Sequence, residues 1–227
     1  MLKTKKCKVC GYEFTYDDRV AINPFVEPHG EGAQYYFDLW HFFVEHCPQC
    51  GYASKDIGHT FNRNVVKDEK YQAIDEIELL KELSSARPNR IADYLKASYY
   101  YNSIGDTISE IKCLLQAGDM VYSELMYWEE YIFDNTQAVT SLIGKAQQNE
   151  FEKFADKLIN TALEKLEEYV KNNPEDVDMQ LLLAGTLSDG EKVQVMKGAK
   201  ILSQLKTKNL TSGQKDALRF LLQEIGA

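Results

Sequence analysis

The chain has 227 residues, 44% of them hydrophobic and 27% charged, with a formal net charge of −9, enough apolar content for a substantial core. Its longest apolar runs, such as Leu181-Leu182-Leu183-Ala184, are only a few residues long, and the opening Met-Leu-Lys-Thr-Lys-Lys has no apolar stretch behind it, so neither a membrane span nor a signal peptide is expected. The acidic balance argues against a nucleic-acid partner, and the one basic cluster, Lys3, Lys5, Lys6 and Lys8, reads as a solubilising tail.

In chain order the first feature is Cys7-Lys-Val-Cys10-Gly11-Tyr12, which returns almost unchanged as Cys47-Pro-Gln-Cys50-Gly51-Tyr52. Between the two lie residues 11 to 46, a thirty-six-residue interval punctuated by Pro24 and Pro28. Short alternating or aromatic pieces there, Glu13 to Tyr16 and Tyr35 to Trp40, predict turns and short strands. The interval is expected to carry its own hairpin, with aromatic residues from Tyr35 to Phe43 forming a hydrophobic lid over the paired motifs.

Near residue 60 the chain changes character: proline becomes rare, at 88 and 174 only, and apolar residues fall into helical spacing. Helices are predicted over 69–86, 89–104, 107–117, 119–134, 136–148, 190–206 and 212–225. The clearest begins near Phe151, where Phe154, Ala155, Leu158, Ile159, Ala162, Leu166, Tyr169 and Val170 recur in steps of three and four and make one wide apolar face. Asn172-Asn173-Pro174 stops it, and Pro174 with Glu175 and Asp176 suits the start of the next helix. The last opens on Thr211-Ser-Gly-Gln214, a capping-box pattern. Short links between successive helices predict antiparallel neighbours. The expected fold is therefore mainly α: a small β-rich, metal-binding region over 1–60 and an α-helical domain over 61–227.

Four of the five cysteines sit in the two motifs. In Cys-x-x-Cys-Gly the chain turns tightly so that both sulfurs face one point, and the glycine permits the positive-φ turn. Two such knuckles supply four thiolates in a tetrahedron. Cys7, Cys10, Cys47 and Cys50 are the predicted ligands, with zinc the expected ion and iron the alternative, since both accept tetrahedral sulfur. A dithiol redox centre would need a βαβ setting that neither pair has. His29, His41, His46 and His59 are near in sequence, but four thiolates close the shell and leave the histidines to packing or surface roles. Such paired thiols, with no export signal, point to a reducing compartment, the cytoplasm.

The knuckles resemble those of rubredoxin, a small iron protein that transfers single electrons, although the interval here is longer. A second resemblance spans more of the chain. Cys-x-x-Cys-Gly-x-x-Phe, then Cys47-Pro-Gln-Cys50-Gly-Tyr-Ala53, then Arg87-Pro88 leading into an aromatic helix that ends at Gly105-Asp106, is similar to a bacterial domain-of-unknown-function family. That family joins a zinc-ribbon-like N-terminus to a tetratricopeptide-like helical region. Within the helical part, Tyr94, Ala97, Ser98 and Tyr101 face Ile111, Leu114 and Ala117 across Gly105-Asp106, like a tetratricopeptide helix pair. Glu110 departs from that pattern, and no proline closes the unit.

Phosphate-binding loops, nucleophile elbows, His-Glu-x-x-His and dinucleotide fingerprints are absent from the sequence. Asp17-Asp18 and Glu129-Glu130 read as solvated charges, and the lone Cys113 as a small core residue. The reading that follows is a non-enzymatic interaction protein with a structural zinc site. Its partner would be a protein or peptide, met by a few of Tyr94, Tyr99, Tyr100, Tyr101, Tyr122, Tyr127, Trp128 and Tyr131. The alternatives are iron electron transfer or redox sensing, and nucleic-acid binding by the ribbon.

Overall fold

The computed structural model describes residues 2–17, 31–83, 90–134 and 145–226. In chain order these form β1 (Leu2–Lys6), β2 (Glu13–Asp17), α1 (Glu31–Trp40), β3 (Glu45–His46), β4 (Ala53–Ser54), α2 (Glu69–Ala73), α3 (Glu78–Leu83), α4 (Arg90–Ile104), α5 (Thr107–Asp134), α6 (Lys145–Asn172), α7 (Val177–Ser188), α8 (Lys192–Leu205) and α9 (Ser212–Glu224). The protein is mainly helical, with short antiparallel strands toward the N-terminus. Packing divides it into two compact units: Met1–Val20 with Phe43–Ala162, and Ala21–Phe42 with Leu163–Ala227. This division runs through α6.

In the first unit β1 and β2 pair from Leu2↔Asp17 to Lys6↔Glu13, a hairpin whose turn is the first knuckle. β3 and β4 pair through Glu45↔Ser54 and His46↔Ala53 around the second. The central helix is α4, in which nine residues from Ile91 to Tyr101 are buried, Lys96 and Ser98 among them. It ends in a Schellman motif: Gly105, at φ 74°, is the left-handed residue, the Gly105 N–H donates to the Asn102 carbonyl, and the Asp106 N–H donates to that of Tyr101. Asp106 then caps α5 by accepting from the Ser109 N–H at 3.1 Å. The α4–α5 pair is thereby antiparallel, with Ala97, Ile111, Cys113 and Ala117 fully buried.

Two predicted boundaries fall differently. The predicted helix over 69–86 is broken: α2 gives way to a 3₁₀ turn at Ile74–Glu76, Ile77 is extended (ψ 113°), and α3 follows. Tyr71 and Leu80 are both buried, and nine residues at 100° each put them about 180° apart on a straight helix. The break lets both reach core. The predicted boundary at 118 is absent, and α5 runs straight through Gly118. A Cβ there would stand 2.6 Å from Ile159 Cγ1, so the glycine lets α6 approach rather than ending a helix. Most of the predicted helix over 136–148 lies outside the described residues; α6 begins at Lys145.

The second unit is built on α7, where Met179 to Gly185 and Leu187 are all buried. Leu181, Ala184, Leu202, Leu205, Leu210, Ala217, Leu218 and Leu221 form its core, with Tyr35, Tyr36 and Leu39 of α1 packed against them. The predicted capping box of the last helix is present: the Thr211 N–H donates to Gln214 Oε1 at 3.1 Å and the Gln214 N–H donates to Thr211 Oγ1 at 3.3 Å. The aromatic stretch expected as a lid is instead the helix α1. Its rings enter this core, and the Tyr35 hydroxyl donates to Asp178 at 2.9 Å.

Candidate metal centre

The two knuckles fold alike because their sequences are alike. In the first, the Gly11 N–H donates to the Cys7 carbonyl at 2.9 Å and the Cys7 N–H to the Tyr12 carbonyl at 2.8 Å. In the second, Gly51 donates to Cys47 at 2.8 Å and Cys47 to Tyr52 at 2.8 Å. Each closes through a glycine in the left-handed region, φ 79° at Gly11 and 68° at Gly51, where a Cβ is unfavourable.

The two turns bring four sulfurs together. Cys7 Sγ lies 3.7 Å from Cys50 Sγ, Cys10 Sγ lies 3.7 Å from Cys47 Sγ, and all four lie within 4.8 Å of one another. A disulfide would require about 2.05 Å. A tetrahedron with metal–sulfur bonds of about 2.3 Å has edges of about 3.8 Å, so the observed approaches match the edges of a metal–thiolate tetrahedron. These four cysteines are positioned to bind a metal ion. Burial, the largest influence, pushes the Cys47 and Cys50 thiols up. At the exposed Cys10 burial also raises, but hydrogen bonds from the Tyr12 backbone and the neighbouring thiols outweigh it and hold this thiol below its usual value. Converting all four to thiolates calls for a cation among them.

No described histidine joins the group. His46 is exposed, with Nδ1 3.2 Å from Asp93 Oδ2; His59 packs edge-on against Phe61; His41 stacks on Phe37. His29 lies outside the described residues. Cys113 is buried in the α4–α5 interface, where burial raises its thiol well above the ordinary range, so it is poorly nucleophilic.

Tyrosine hydroxyls hold the second knuckle in place. The Tyr71 hydroxyl donates to the Gly51 carbonyl at 2.9 Å and accepts from the Ala53 N–H at 2.9 Å. Tyr101 accepts from the Lys55 N–H at 2.8 Å and Tyr100 from the Phe61 N–H at 3.0 Å. Tyr52 is buried edge-on to Tyr100 at 5.3 Å and donates to the His59 carbonyl. The first knuckle is tied on by other groups. Lys8 N–H donates to the Ile57 carbonyl at 2.9 Å, and Lys5 Nζ donates to Glu45 at 2.6 Å.

Of the eight aromatics from which a few partner contacts were expected, the others being core, Tyr94, Tyr100 and Tyr101 are buried. Tyr99 and Tyr122 are partly exposed, the latter donating to Asp156 at 2.6 Å. The side chains of Tyr127, Trp128 and Tyr131 lie outside those described. The positioning hydroxyls escaped the sequence reading. The signal available was the choice of Tyr over Phe on a buried helical face, which implies a hydrogen bond for each hydroxyl.

Gly51 differs from Gly11 in its surroundings. A Cβ on Gly51 would stand 3.1 Å from Lys96 Nζ, whereas one on Gly11 meets nothing within 4 Å. Gly11→Ala is expected to cost about 1–2 kcal/mol, the left-handed penalty, and Gly51→Ala measurably more because the buried ammonium must shift too. Urea melts of the two variants check the order; equal losses would refute it.

Fold and site together define a mainly helical protein carrying a double-knuckle, four-cysteine cluster. Compared with protein-family models, curated proteins and solved structures, the chain matches none. Among the described residues no helix is long and apolar enough to cross a membrane.

Proposed function

We propose that this chain is a non-enzymatic interaction protein whose four cysteines hold a structural zinc ion. The observation that carries the reading is the sulfur geometry: Cys7, Cys10, Cys47 and Cys50 offer four ligands at tetrahedral spacing. A shell filled by protein ligands leaves no position for water or substrate, so the ion's contribution is cross-linking rather than Lewis-acid chemistry. The cross-link joins a short hairpin to a helical unit with a real core.

The partner-facing element in this reading is the helical region, with the α4–α5 pair taken as a tetratricopeptide-like unit. Support comes from its short Gly105-Asp106 turn and the small buried residues Ala97 and Ala117 at the crossing. A protein or peptide is the partner class, and the net charge of −9 disfavours nucleic acid. A thiolate site belongs in a reducing setting, hence the cytoplasm. One observation favours iron electron transfer as a second reading: Cys10 is exposed, which would leave one edge of the cluster open to a redox partner.

Metal analysis of the full chain, purified under reducing conditions without added metal, separates these readings. One zinc per chain and no visible absorption is the expected result. Stoichiometric iron with a reversibly bleached red colour would select electron transfer, and no bound metal would remove both.

A further inference from the structure

Lys96 is a lysine buried in the middle of the central helix α4. Its side chain is 8% exposed, while its carboxylate partner Asp75, 2.6 Å away, is 55% exposed. The pair is lopsided: water screens the anion and not the cation. Burying an ammonium is costly unless charge compensates it, and an exposed carboxylate does so only in part. Beside it lie the Tyr71 ring, 5.6 Å from Nζ, and the backbone of Gly51, whose absent Cβ would stand 3.1 Å from Nζ. Gly51 follows Cys50 directly.

Four thiolates around a divalent ion carry a formal charge of two minus. We infer that Lys96 is the counter-cation of the four-cysteine centre, a positioning residue whose buried ammonium beside the Cys50-Gly51 turn offsets the negative charge of the thiolates and tightens metal retention. The inference rests on the four-thiolate reading above. The requirement for a glycine at 51 then has two causes, the left-handed turn and room for the ammonium. Other charged groups near this knuckle are arranged differently: His46 is exposed and pairs with Asp93, and Arg90 is engaged by the Val44 carbonyl at 2.8 Å and the Phe43 ring.

The test compares Lys96→Met, which keeps length and removes charge, with Asp75→Asn, which removes the partner carboxylate. Full-length proteins are loaded with zinc, and the dissociation constant is measured by competition with a chromogenic chelator, with circular dichroism recorded alongside. Loss of an outer-shell partner weakens metal binding by about 10–100-fold. Lys96→Met is expected to fall in that range, Lys96→Arg to remain near wild type, and Asp75→Asn to bind zinc at least as tightly as wild type. Equal weakening by Lys96→Met and Asp75→Asn would make the pair a plain structural ion pair and overturn the inference, as would an unchanged Lys96→Met. If Lys96→Met does not fold, Asp75→Asn decides alone: weaker binding overturns, equal or tighter binding supports. A wild type that takes up no zinc fails the four-thiolate reading itself, a distinct result that removes the inference with it.

Discussion

Stripping the metal, by chelation or by Cys47→Ser, is expected to release the N-terminal hairpin while leaving the α4–α5 pair folded. Strands β1 and β2 have five residues each, and Thr4, Lys6, Glu13 and Thr15 on them are exposed. An isolated two-stranded hairpin of this kind is marginal in water. Its docking includes the Lys8 to Ile57 hydrogen bond, the pairs of Lys5 with Glu45 and Asp56, and the sulfurs, and a hydrogen bond or ion pair of this kind is worth only about 1 kcal/mol. A structural zinc site supplies about 10–16 kcal/mol in a peptide that folds only with metal. Here the helical unit keeps its own core, so the expected loss of global stability is smaller, on the order of 5 kcal/mol, and is concentrated in one segment. Hydrogen exchange read by mass spectrometry should show protection over Leu2–Asp17 vanishing with chelator, while peptides containing Ala97, Ile111 and Ala117 stay protected. Cys47→Ser should cost more than Cys10→Ser, because Cys47 is fully buried and Cys10 exposed, and a buried hydroxyl adds its own desolvation. Unchanged exchange over the hairpin would mean that the metal is no cross-link.

The parts legible in the sequence are those whose cause is local. Ligand spacing and the following glycine dictate a knuckle within six residues, and Thr211 with Gln214 or Gly105 with Asp106 dictates a helix end within four. The parts that were not legible depend on distant partners. The aromatic density of Tyr35-Tyr36-Phe37 reads as strand by composition, yet α1 forms because Tyr35, Tyr36 and Leu39 meet the core of α7 and α9. Gly118 reads as a break until Ile159 is seen to occupy the space it leaves. In each case a long-range contact overrides a local preference, and the override concerns how elements pack more than whether they exist.

Tyr71→Phe should be a more damaging hydroxyl deletion than Tyr100→Phe or Tyr101→Phe. Its oxygen is used twice, donating to the Gly51 carbonyl and accepting from the Ala53 N–H, both at 2.9 Å, while the ring is 2% exposed. Phenylalanine keeps the ring's packing and strands both backbone groups in a place where Ala53 is fully buried. Leaving a buried polar group unpaired costs about 1–3 kcal/mol, so two give roughly 2–5 kcal/mol. Tyr101→Phe and Tyr100→Phe each strand one N–H, of Lys55 and Phe61, in places more open to water, and should cost about 1–2 kcal/mol. The order Tyr71 above Tyr101 and Tyr100 is the testable content, read from urea denaturation of the zinc-loaded chains. The location matters as much as the size. Gly51 follows Cys50, a proposed ligand, so losing the Tyr71 anchor is expected to loosen the second knuckle, and zinc release to a chelator should accelerate in Tyr71→Phe but not in Tyr100→Phe. Equal release rates with unequal stabilities would separate the anchoring of the knuckle from its grip on the metal, and would place that grip in the turn itself rather than in the helix beneath it.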